Sequence, residues 1–234
     1  MAGERILVVD DEPGVLEMTL EIVERSPEAY KVRGAEDVTT ALQEIKQWHP
    51  DLVVLDLNLG RRFDGLEICR EIRGASATSD VAVIVLTGEA MDTAESMLLD
   101  AGADDYIRKP HFTPALLASR VRAVLRRTRK SSASTLRRGP LILNPGRREA
   151  TLDGQAISFT PTEFDILHTL AVNSERAMER HELLDRGGNQ SSVDRTVDVH
   201  ILAIRRKLGR HDWLIETVFG VGYRIGTSPT ATTS

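Results

Sequence analysis

The chain has 234 residues, of which 41% are hydrophobic and 28% charged, a composition that suits one large or two ordinary soluble domains. No apolar run approaches the roughly 20 residues that cross a bilayer, the N-terminus has no signal-peptide pattern, and the single cysteine excludes an internal disulfide, so the sequence predicts a cytoplasmic protein without membrane contact. Residues 1–127 carry a net charge of −8 (15 Lys and Arg, 23 Asp and Glu) and residues 128–234 a net +3 (15 and 12), which hints at a nucleic-acid-binding second half without deciding it.

Residues 1–127 alternate short apolar runs with helical patterns, which predicts five βα units. The predicted strands are Arg5–Asp10, Tyr30–Ala35, Leu52–Asp56, Val81–Thr87 and Asp105–Ile107, and the predicted helices are 13–25, 36–48, 65–73, 91–101 and 114–127. Continuously apolar runs such as Leu52–Leu55 are typical of parallel strands that are buried on both faces. The sequence therefore predicts the α/β class, with a doubly wound five-stranded parallel sheet and right-handed crossovers.

The pattern changes after residue 127. Residues 128–138 are polar and serine-rich, which is typical of a linker. The segments that follow predict strands at Leu141–Asn144, Arg148–Leu152 and Ala156–Phe159, helices at 161–173, 179–186 and 193–208, and a hairpin of Trp213–Thr217 with Tyr223–Ile225. We therefore expect a second, α+β domain over 139–226, with a disordered tail at 227–234.

Acidic and reactive side chains lie at the carboxyl ends of predicted strands. They are Asp10 and Asp11 after the first strand, Asp56 at the third, Thr87 at the fourth and Lys109 after the fifth. Each alone could equally well be a helix cap or solvated surface, but in an open α/β sheet these ends meet in one crevice. Three crowded carboxylates favour a hard cation such as Mg²⁺. A carboxylate beside Mg²⁺ can attack a phosphoryl donor, with Lys109 and Thr87 holding the transferred oxygens.

Five segments of the first half resemble the receiver domains of two-component response regulators, over about residues 4–127. They are Ile6–Pro13, Val53–Leu57, Asp64–Gly65, Leu86–Gly88 and Gly102–Pro110. The resemblance implies a flavodoxin-like fold that accepts a phosphoryl group on Asp56 from a sensor histidine kinase, and it implies no enzymatic turnover of an external substrate. It further implies Mg²⁺ ligands at Asp10, Asp11, Asp56 and the backbone carbonyl of Asn58, a phosphate contact from Lys109, the switch pair Thr87 and Tyr106, and a cis Lys109–Pro110 bond.

Two loops beside the crevice depart from the receiver pattern. Gly60-Arg61-Arg62-Phe63 replaces the usual Pro-Gly and is one residue longer than expected, and His111 is an insertion before Phe112. Asn58 and Glu89 occupy the positions that flank the path of a hydrolytic water. Because both are polar, we expect a short-lived phosphoryl group.

The predicted helix 193–208 has one apolar stripe, formed by Val197, Ile201, Ile204 and Leu208, which leaves Leu202 on the opposite side. Alone, this pattern indicates an ordinary amphipathic helix. The segments Phe159–Leu167, Arg195–Ile201 and Thr217–Arg224, however, resemble the winged-helix domain of OmpR/PhoB-type regulators, over about 139–226. The resemblance implies a helix that reads the major groove and a wing at 217–224 over the minor groove. The residues then expected at DNA are Arg195, Thr196, Asp198, Val199, Arg205, Arg206, Lys207 and Phe219.

Several departures from the winged-helix pattern leave two functions open. Leu202 and Ala203 replace frequently basic residues, Phe219 stands where the wing usually carries Arg, and the loop 186–192, through which the family contacts RNA polymerase, is short. One function is a phosphorylation-controlled transcriptional regulator. The alternative is a phospho-switched protein–protein signalling module with a weakened winged helix. A phosphatase-like enzyme is a weaker third, because no dedicated general acid is evident near Asp56.

The resemblance also implies a homodimer of the phosphorylated protein through the face formed by residues 90–125. Such a dimer would bring two DNA-binding domains to direct-repeat sites. The candidate ion pairs across it are Asp105 with Arg120 and Asp100 with Arg122. A third pair of the family is lost, because Glu95 and Leu116 occupy its positions.

Overall fold

A computed structural model describes residues 3–61, 63–75, 77–88, 97–98, 101–128, 135–184 and 190–226, with the backbone alone at residues 110, 127, 128 and 190–195. The chain forms two compact units, residues 1–128 and 129–234. Nearly all of the predicted helix 91–101, residues 129–134 of the predicted linker and the tail 227–234 lie outside the described residues. Within the described parts, no helix is long and apolar enough to cross a membrane.

The first unit is built on a five-stranded parallel sheet, as the sequence predicts. Its strands are β1 (Arg5–Val9), β2 (Lys31–Ala35), β3 (Leu52–Asp56), β4 (Ala82–Thr87) and β5 (Asp105–Arg108), in the order β2-β1-β3-β4-β5. The helices are α1 (Pro13–Glu24), α2 (Val38–Trp48), α3 (Asp64–Gly74) and α4 (Pro114–Thr128). Strands β3 and β4 are buried along their whole length, which explains their unbroken apolar sequence.

Alternate side chains of the central strands fill two separate hydrophobic cores. Leu7 and Val53 pack in one core with residues of α2 and α3, whereas Ile6 and Val54 pack in the other with residues of α1 and α4. This alternation follows from the two-residue repeat of a β-strand. Because both faces are covered, the polar strand ends are the part of the sheet that is left to form a site.

The expected cis bond between Lys109 and Pro110 stays a prediction, because Pro110 is not among the fully described residues. The inserted His111 ends a short 3₁₀ helix, Lys109–His111, which directly follows the extended Arg108. Proline fits the first turn of such a helix, because its fixed φ is already close to helical.

The second unit contains two antiparallel sheets and three α-helices among its described residues. A four-stranded sheet is formed in chain order by β6 (Leu136–Arg138), β7 (Leu141–Asn144), β8 (Glu149–Leu152) and β9 (Gln155–Ile157). There follow α5 (Pro161–Val172), β10 (Met178–Glu179), α6 (Arg180–Leu183), α7 (Gln190–Leu208), a 3₁₀ helix (Gly209–Leu214), β11 (Ile215–Val218) and β12 (Gly222–Ile225). Strands β10, β12 and β11 form the second sheet in that order.

The start of α5 and the inner face of α7 show why this sequence adopts the α+β fold. Thr160 and Glu163 form a capping box, in which the Thr160 backbone N–H donates to Glu163 Oε2 at 2.8 Å. On α7, the predicted apolar stripe is fully buried: Val197, Ile201, Ile204 and Leu208 are at most 2% exposed. The helix is therefore packed by this stripe against the core of its own unit.

The structure corrects the predicted boundary between the linker and the second unit. β6 covers Leu136–Arg138, which were assigned to the linker, and pairs with β7. A three-residue edge strand with a single apolar residue gives no detectable alternation, which explains why the sequence pattern missed it.

Candidate functional site

The carboxyl ends of β1 and β3 bring three acidic side chains together. Each of Asp10, Asp11 and Asp56 has a carboxylate oxygen within 4.8 Å of those of the other two. Strands β1 and β3 are neighbours in the sheet, so the residues that end them are adjacent by topology. Asp10 and Asp56 are 1% and 4% exposed, whereas Asp11 is exposed. The cluster is therefore half-buried and faces an open cleft of about 430 Å³.

Lys109 is the cation that faces this cluster. Its Nζ lies 3.2 Å from Asp56 Oδ1, 3.5 Å from Asp10 Oδ2 and 3.9 Å from Glu12 Oε1. Burial, with the charge of Asp10, raises the pKa of Asp56 to about 6, although Lys109 opposes the shift. Burial also raises the pKa of Asp10. For Lys109, burial lowers the pKa, but the carboxylates of Asp56 and Asp10 outweigh burial and raise it, so the amine stays charged.

The acidic cluster fits a magnesium ion. Asp10 Oδ2 is buried and accepts no hydrogen bond from the described residues, while Asp10 Oδ1 accepts from the backbone N–H of Glu12 at 3.0 Å. Burial disfavours the ionised carboxyls, and a divalent cation would relieve this cost. Carboxylate oxygens are the hard ligands that Mg²⁺ prefers. Asp10, Asp11 and Asp56 are thus suited to hold this ion.

The longer loop after β3 is held tightly against the strand end. The side-chain oxygen of Asn58 accepts from the backbone N–H of Phe63 at 3.0 Å, and Gly65 N donates to the Leu57 carbonyl at 2.9 Å. A Cβ at Gly65 would lie 2.5 Å from the Asp56 carbonyl oxygen, so only glycine allows this close approach of α3. The Asn58 side-chain oxygen therefore stabilises the loop by accepting this hydrogen bond. Glu89, its expected partner beside the water path, lies outside the described residues.

The expected switch residues are both buried. Thr87 ends β4 and is 3% exposed, and Tyr106 on β5 is 6% exposed. The Tyr106 ring packs in the hydrophobic core that contains Val85 and Ala103. Tyr106 thus already occupies an inward position in this structure.

Comparison with known proteins identifies the family. The family model described as "Response regulator receiver domain" matches residues 6–122, and "Transcriptional regulatory protein, C terminal" matches residues 154–225. The chain is 38% identical to the phosphate regulon transcriptional regulatory protein PhoB of Pseudomonas aeruginosa, over 97% of this chain and 99% of the relative. This chain belongs to the OmpR/PhoB-type response regulators.

Two further proteins of known sequence or structure support this family assignment. The DNA-binding response regulator MtrA of Mycolicibacterium smegmatis is 38% identical over 95% of this chain and 97% of the relative. The solved structure of DrrB, an OmpR/PhoB homolog from Thermotoga maritima, matches with a TM-score of 0.51 and 30% identity, over 95% of this chain and 99% of DrrB. The receiver fold of this response regulator is therefore followed by a DNA-binding domain.

Helix α7 of the response regulator carries most of the residues expected at DNA. Asp198 and Arg206 are exposed, and Val199 is half-buried. Thr196, in contrast, is completely buried and has no surface open to DNA in this structure, so its assignment as a DNA contact stays a prediction. It lies beside Val197 on the side of the helix that packs inward. The side chain of Arg195 lies outside the described residues.

Two of the expected DNA-binding cations have partners within the protein. Arg205 Nη2 donates to the Ile215 carbonyl at 2.7 Å and to Thr217 Oγ1 at 2.8 Å. Lys207 Nζ lies 2.6 Å from Oε2 of Glu163, a carboxylate that is 2% exposed. In these positions both cations stabilise the fold of the second unit. Lys207 is nevertheless exposed, and contact of either cation with DNA stays a prediction.

Asp198, another residue expected at DNA, is part of a network that the sequence pattern does not predict. Its Oδ1 accepts hydrogen bonds from Arg180 Nε and from the Tyr223 hydroxyl, both at 2.7 Å. Burial and the hydrogen bond to Asp198 raise the pKa of Tyr223 to about 12. The three residues are separated by 18 and 25 positions in the chain, and no local pattern signals such a contact.

The three expected dimer residues that the structure describes form ion pairs within the chain. Arg120 Nη1 lies 3.6 Å from Asp105 Oδ2, and both side chains are buried. Arg122 is about half exposed, and its Nε lies 3.9 Å from Glu28 Oε1. Asp100, the expected partner of Arg122, lies outside the described residues.

Proposed function

We propose that this chain is a phosphorylation-controlled transcriptional regulator that acts in the cytoplasm. A sensor histidine kinase supplies a phosphoryl group to Asp56, and the phosphorylated protein forms a homodimer on direct-repeat DNA. The observation that carries the proposal is the cluster of Asp10, Asp11 and Asp56 around Lys109, in the same chain as a DNA-binding domain. The full-length relatives, which are named as transcriptional or DNA-binding regulators, support it.

In the phosphoryl transfer, a carboxylate oxygen of Asp56 attacks the phosphorus of the kinase phosphohistidine. A new O–P bond forms, the P–N bond breaks, and its electron pair returns to the imidazole nitrogen. Bound at Asp10, Asp11, Asp56 and the Asn58 carbonyl, Mg²⁺ would supply positive charge against the phosphoryl oxygens. Lys109, whose Nζ is 3.2 Å from Asp56 Oδ1, would pair with the transferred group. The reaction phosphorylates the protein itself, and we assign it no external substrate.

Phosphorylation adds a charge of about −1.5 to −2 at Asp56. The Thr87 hydroxyl, at the end of the neighbouring strand β4, would hydrogen-bond to the new phosphoryl oxygens. We propose that Thr87 and Tyr106 transmit this change to the face formed by residues 90–125, which then pairs with a second copy. Contact with RNA polymerase through the loop 186–192 is part of the same proposal.

Charge reversal of Arg122 is expected to weaken the phosphorylation-dependent dimer up to about 30-fold, because the symmetric interface holds the ion pair twice and each surface pair contributes about 0–1 kcal/mol. Arg122 gives a cleaner test than the buried Arg120, since it is about half exposed and its replacement should not disturb folding. Dimerisation of Arg122→Glu would be measured by sedimentation velocity with acetyl phosphate and Mg²⁺. The control is Arg25→Glu, which removes an exposed cation directly after α1. An unchanged dimer of Arg122→Glu would place the interface elsewhere.

The alternative function, a phospho-switched protein–protein signalling module, is favoured by the internal partners of Arg205 and Lys207. Selection from a random pool of DNA duplexes separates the two functions. We expect the full chain treated with acetyl phosphate and Mg²⁺ to enrich a direct repeat, with salt-dependent affinity. We expect no such enrichment by the untreated chain. If neither preparation enriches any sequence, the DNA-binding proposal fails and the alternative is supported.

A further inference from the structure

The tip of the hairpin between β11 and β12 is apolar and uncovered. Phe219 is 94% exposed, the highest value among the large hydrophobic side chains that the structure describes, and Val221 is 42% exposed. The turn is closed by a hydrogen bond from Val221 N to the Val218 carbonyl at 3.0 Å. Gly220 follows Phe219 with φ +76°, a conformation that favours glycine. This short turn therefore presents an aromatic ring to the surroundings.

The hairpin is fixed to helix α7 by two polar connections. From α7, Arg205 donates to the Ile215 carbonyl and to Thr217 Oγ1 on β11. From β12, the Tyr223 hydroxyl donates to Asp198 on α7. The Arg205 guanidinium also lies 5.7 Å from the centre of the Tyr223 ring. The backbone of the hairpin thus has a defined position relative to α7, so less backbone entropy is lost when its tip contacts a partner.

Several charged side chains of α7 and the hairpin have partners within the protein. Arg224 Nη2 lies 2.6 Å from Glu216 Oε2 across the hairpin, and Arg180 pairs with Asp198. Arg205 and Lys207 have the internal partners described above. On α7, the outward Leu202 is 46% exposed and adds to the apolar character of this surface. The surface formed by α7 and the hairpin is thus less cationic than its arginine content suggests.

We propose that Phe219 is an apolar wedge that enters the DNA minor groove beside α7, and that it selects a deformable base step there. The inference rests on the proposed DNA-binding function. With α7 in the major groove, a hairpin fixed to that helix meets the phosphate backbone and the adjacent minor groove. Phosphates offer no apolar surface, whereas the walls of the minor groove expose sugar C–H groups and base edges. Apolar side chains in this groove can unstack a base step, and pyrimidine–purine steps yield most easily.

The first test compares affinities and their salt dependence for the full chain. The probe is the duplex that the phosphorylated wild-type chain enriches from a random pool, titrated at several KCl concentrations. We expect Phe219→Ala to weaken binding roughly tenfold, in the range of lost stacking contacts, with an unchanged salt slope. Phe219→Arg should raise the slope by about one, because it adds a phosphate-pairing cation. Val172→Ala, which truncates an exposed apolar residue at the end of α5, is the control and should bind as wild type.

The second test reads the base step directly. The adenine analogue 2-aminopurine, placed at the enriched step on the hairpin side, should brighten when the wild-type chain binds and stay dim with Phe219→Ala. Equal affinity, equal sequence enrichment and equal brightness for both proteins would overturn the wedge while leaving DNA binding intact. If the wild-type chain itself enriches no duplex, both the wedge and the proposed function fail.

Discussion

Replacing Asp56 with asparagine is expected to reduce phosphorylation by acetyl phosphate and Mg²⁺ to background, a loss of at least about 100-fold. The side chain keeps its size, but the amide lacks the carboxylate oxygen that attacks phosphorus. Asp56 ends β3, is 4% exposed and faces Lys109 at 3.2 Å, so no other described carboxyl has the same combination of position and cation. Incorporation would be followed by the intact mass of the protein.

The matched control for this variant is Asp80→Asn, which removes an exposed carboxylate in the turn before β4. It should be phosphorylated like the wild-type chain. Folding is a second control. Because burial raises the folded-state pKa of Asp56 to about 6, the ionised carboxyl is disfavoured at neutral pH in the folded protein without a cation. The free energy of unfolding of Asp56→Asn without Mg²⁺ should therefore be no lower than that of the wild type. Undiminished phosphorylation of Asp56→Asn would move the acceptor to another residue.

The parts of the fold that sequence reasoning predicts well are those with a strong local signal. Strand β3 was predicted with the bounds Leu52–Asp56 that the structure has, because four apolar residues in a row are followed by a charged one. The predicted strand ends also located the candidate site, because the carboxyl ends of parallel strands converge at one edge of the sheet independently of the loop conformations. The stripe of α7 was equally clear, because large aliphatic residues that recur with the helical repeat indicate a helix with one buried face.

The parts that the sequence could not predict depend on contacts between distant residues. Lys207 is 44 positions from Glu163, and a cation on an amphipathic helix looks the same whether it faces a buried carboxylate or solvent. Thr196 was assigned to DNA by its place in a motif, although its side chain is on the buried side of α7. Sequence motifs identify the domain, whereas the direction in which each side chain points is decided by packing.

Replacing Arg73 is expected to lower the free energy of unfolding of the receiver unit. Asp104 is completely buried, and its Oδ2 accepts from Arg73 Nη2 at 2.8 Å and from Val83 N at 2.9 Å. Arg73, from α3, also donates to the backbone carbonyls of Gly102, Ser79 and Val81. One guanidinium thus connects the segments that precede β4 and β5. Removing it leaves a buried carboxylate without its cation, together with backbone carbonyls that lose a donor.

Arg73→Met keeps the aliphatic part of the side chain and is expected to lower the free energy of unfolding by about 3–5 kcal/mol. The two tryptophans, Trp48 and Trp213, lie in different units, so a Trp213→Phe background makes Trp48 emission report urea unfolding of the receiver alone. The control, Arg70→Met on an exposed position of the same helix, should change stability by less than about 0.5 kcal/mol.

A loss below about 1 kcal/mol in Arg73→Met would mean that water or another side chain replaces the guanidinium, since a single exposed ion pair contributes no more than this. The pair is separate from the phosphoryl chemistry, because neither Arg73 nor Asp104 lines the cleft of Asp56 and Lys109. The folded fraction of Arg73→Met should therefore still be phosphorylated, whereas Asp56→Asn should be stable and unphosphorylated. Opposite results in stability and phosphorylation for the two variants would separate the residues that hold the receiver together from those that carry its chemistry.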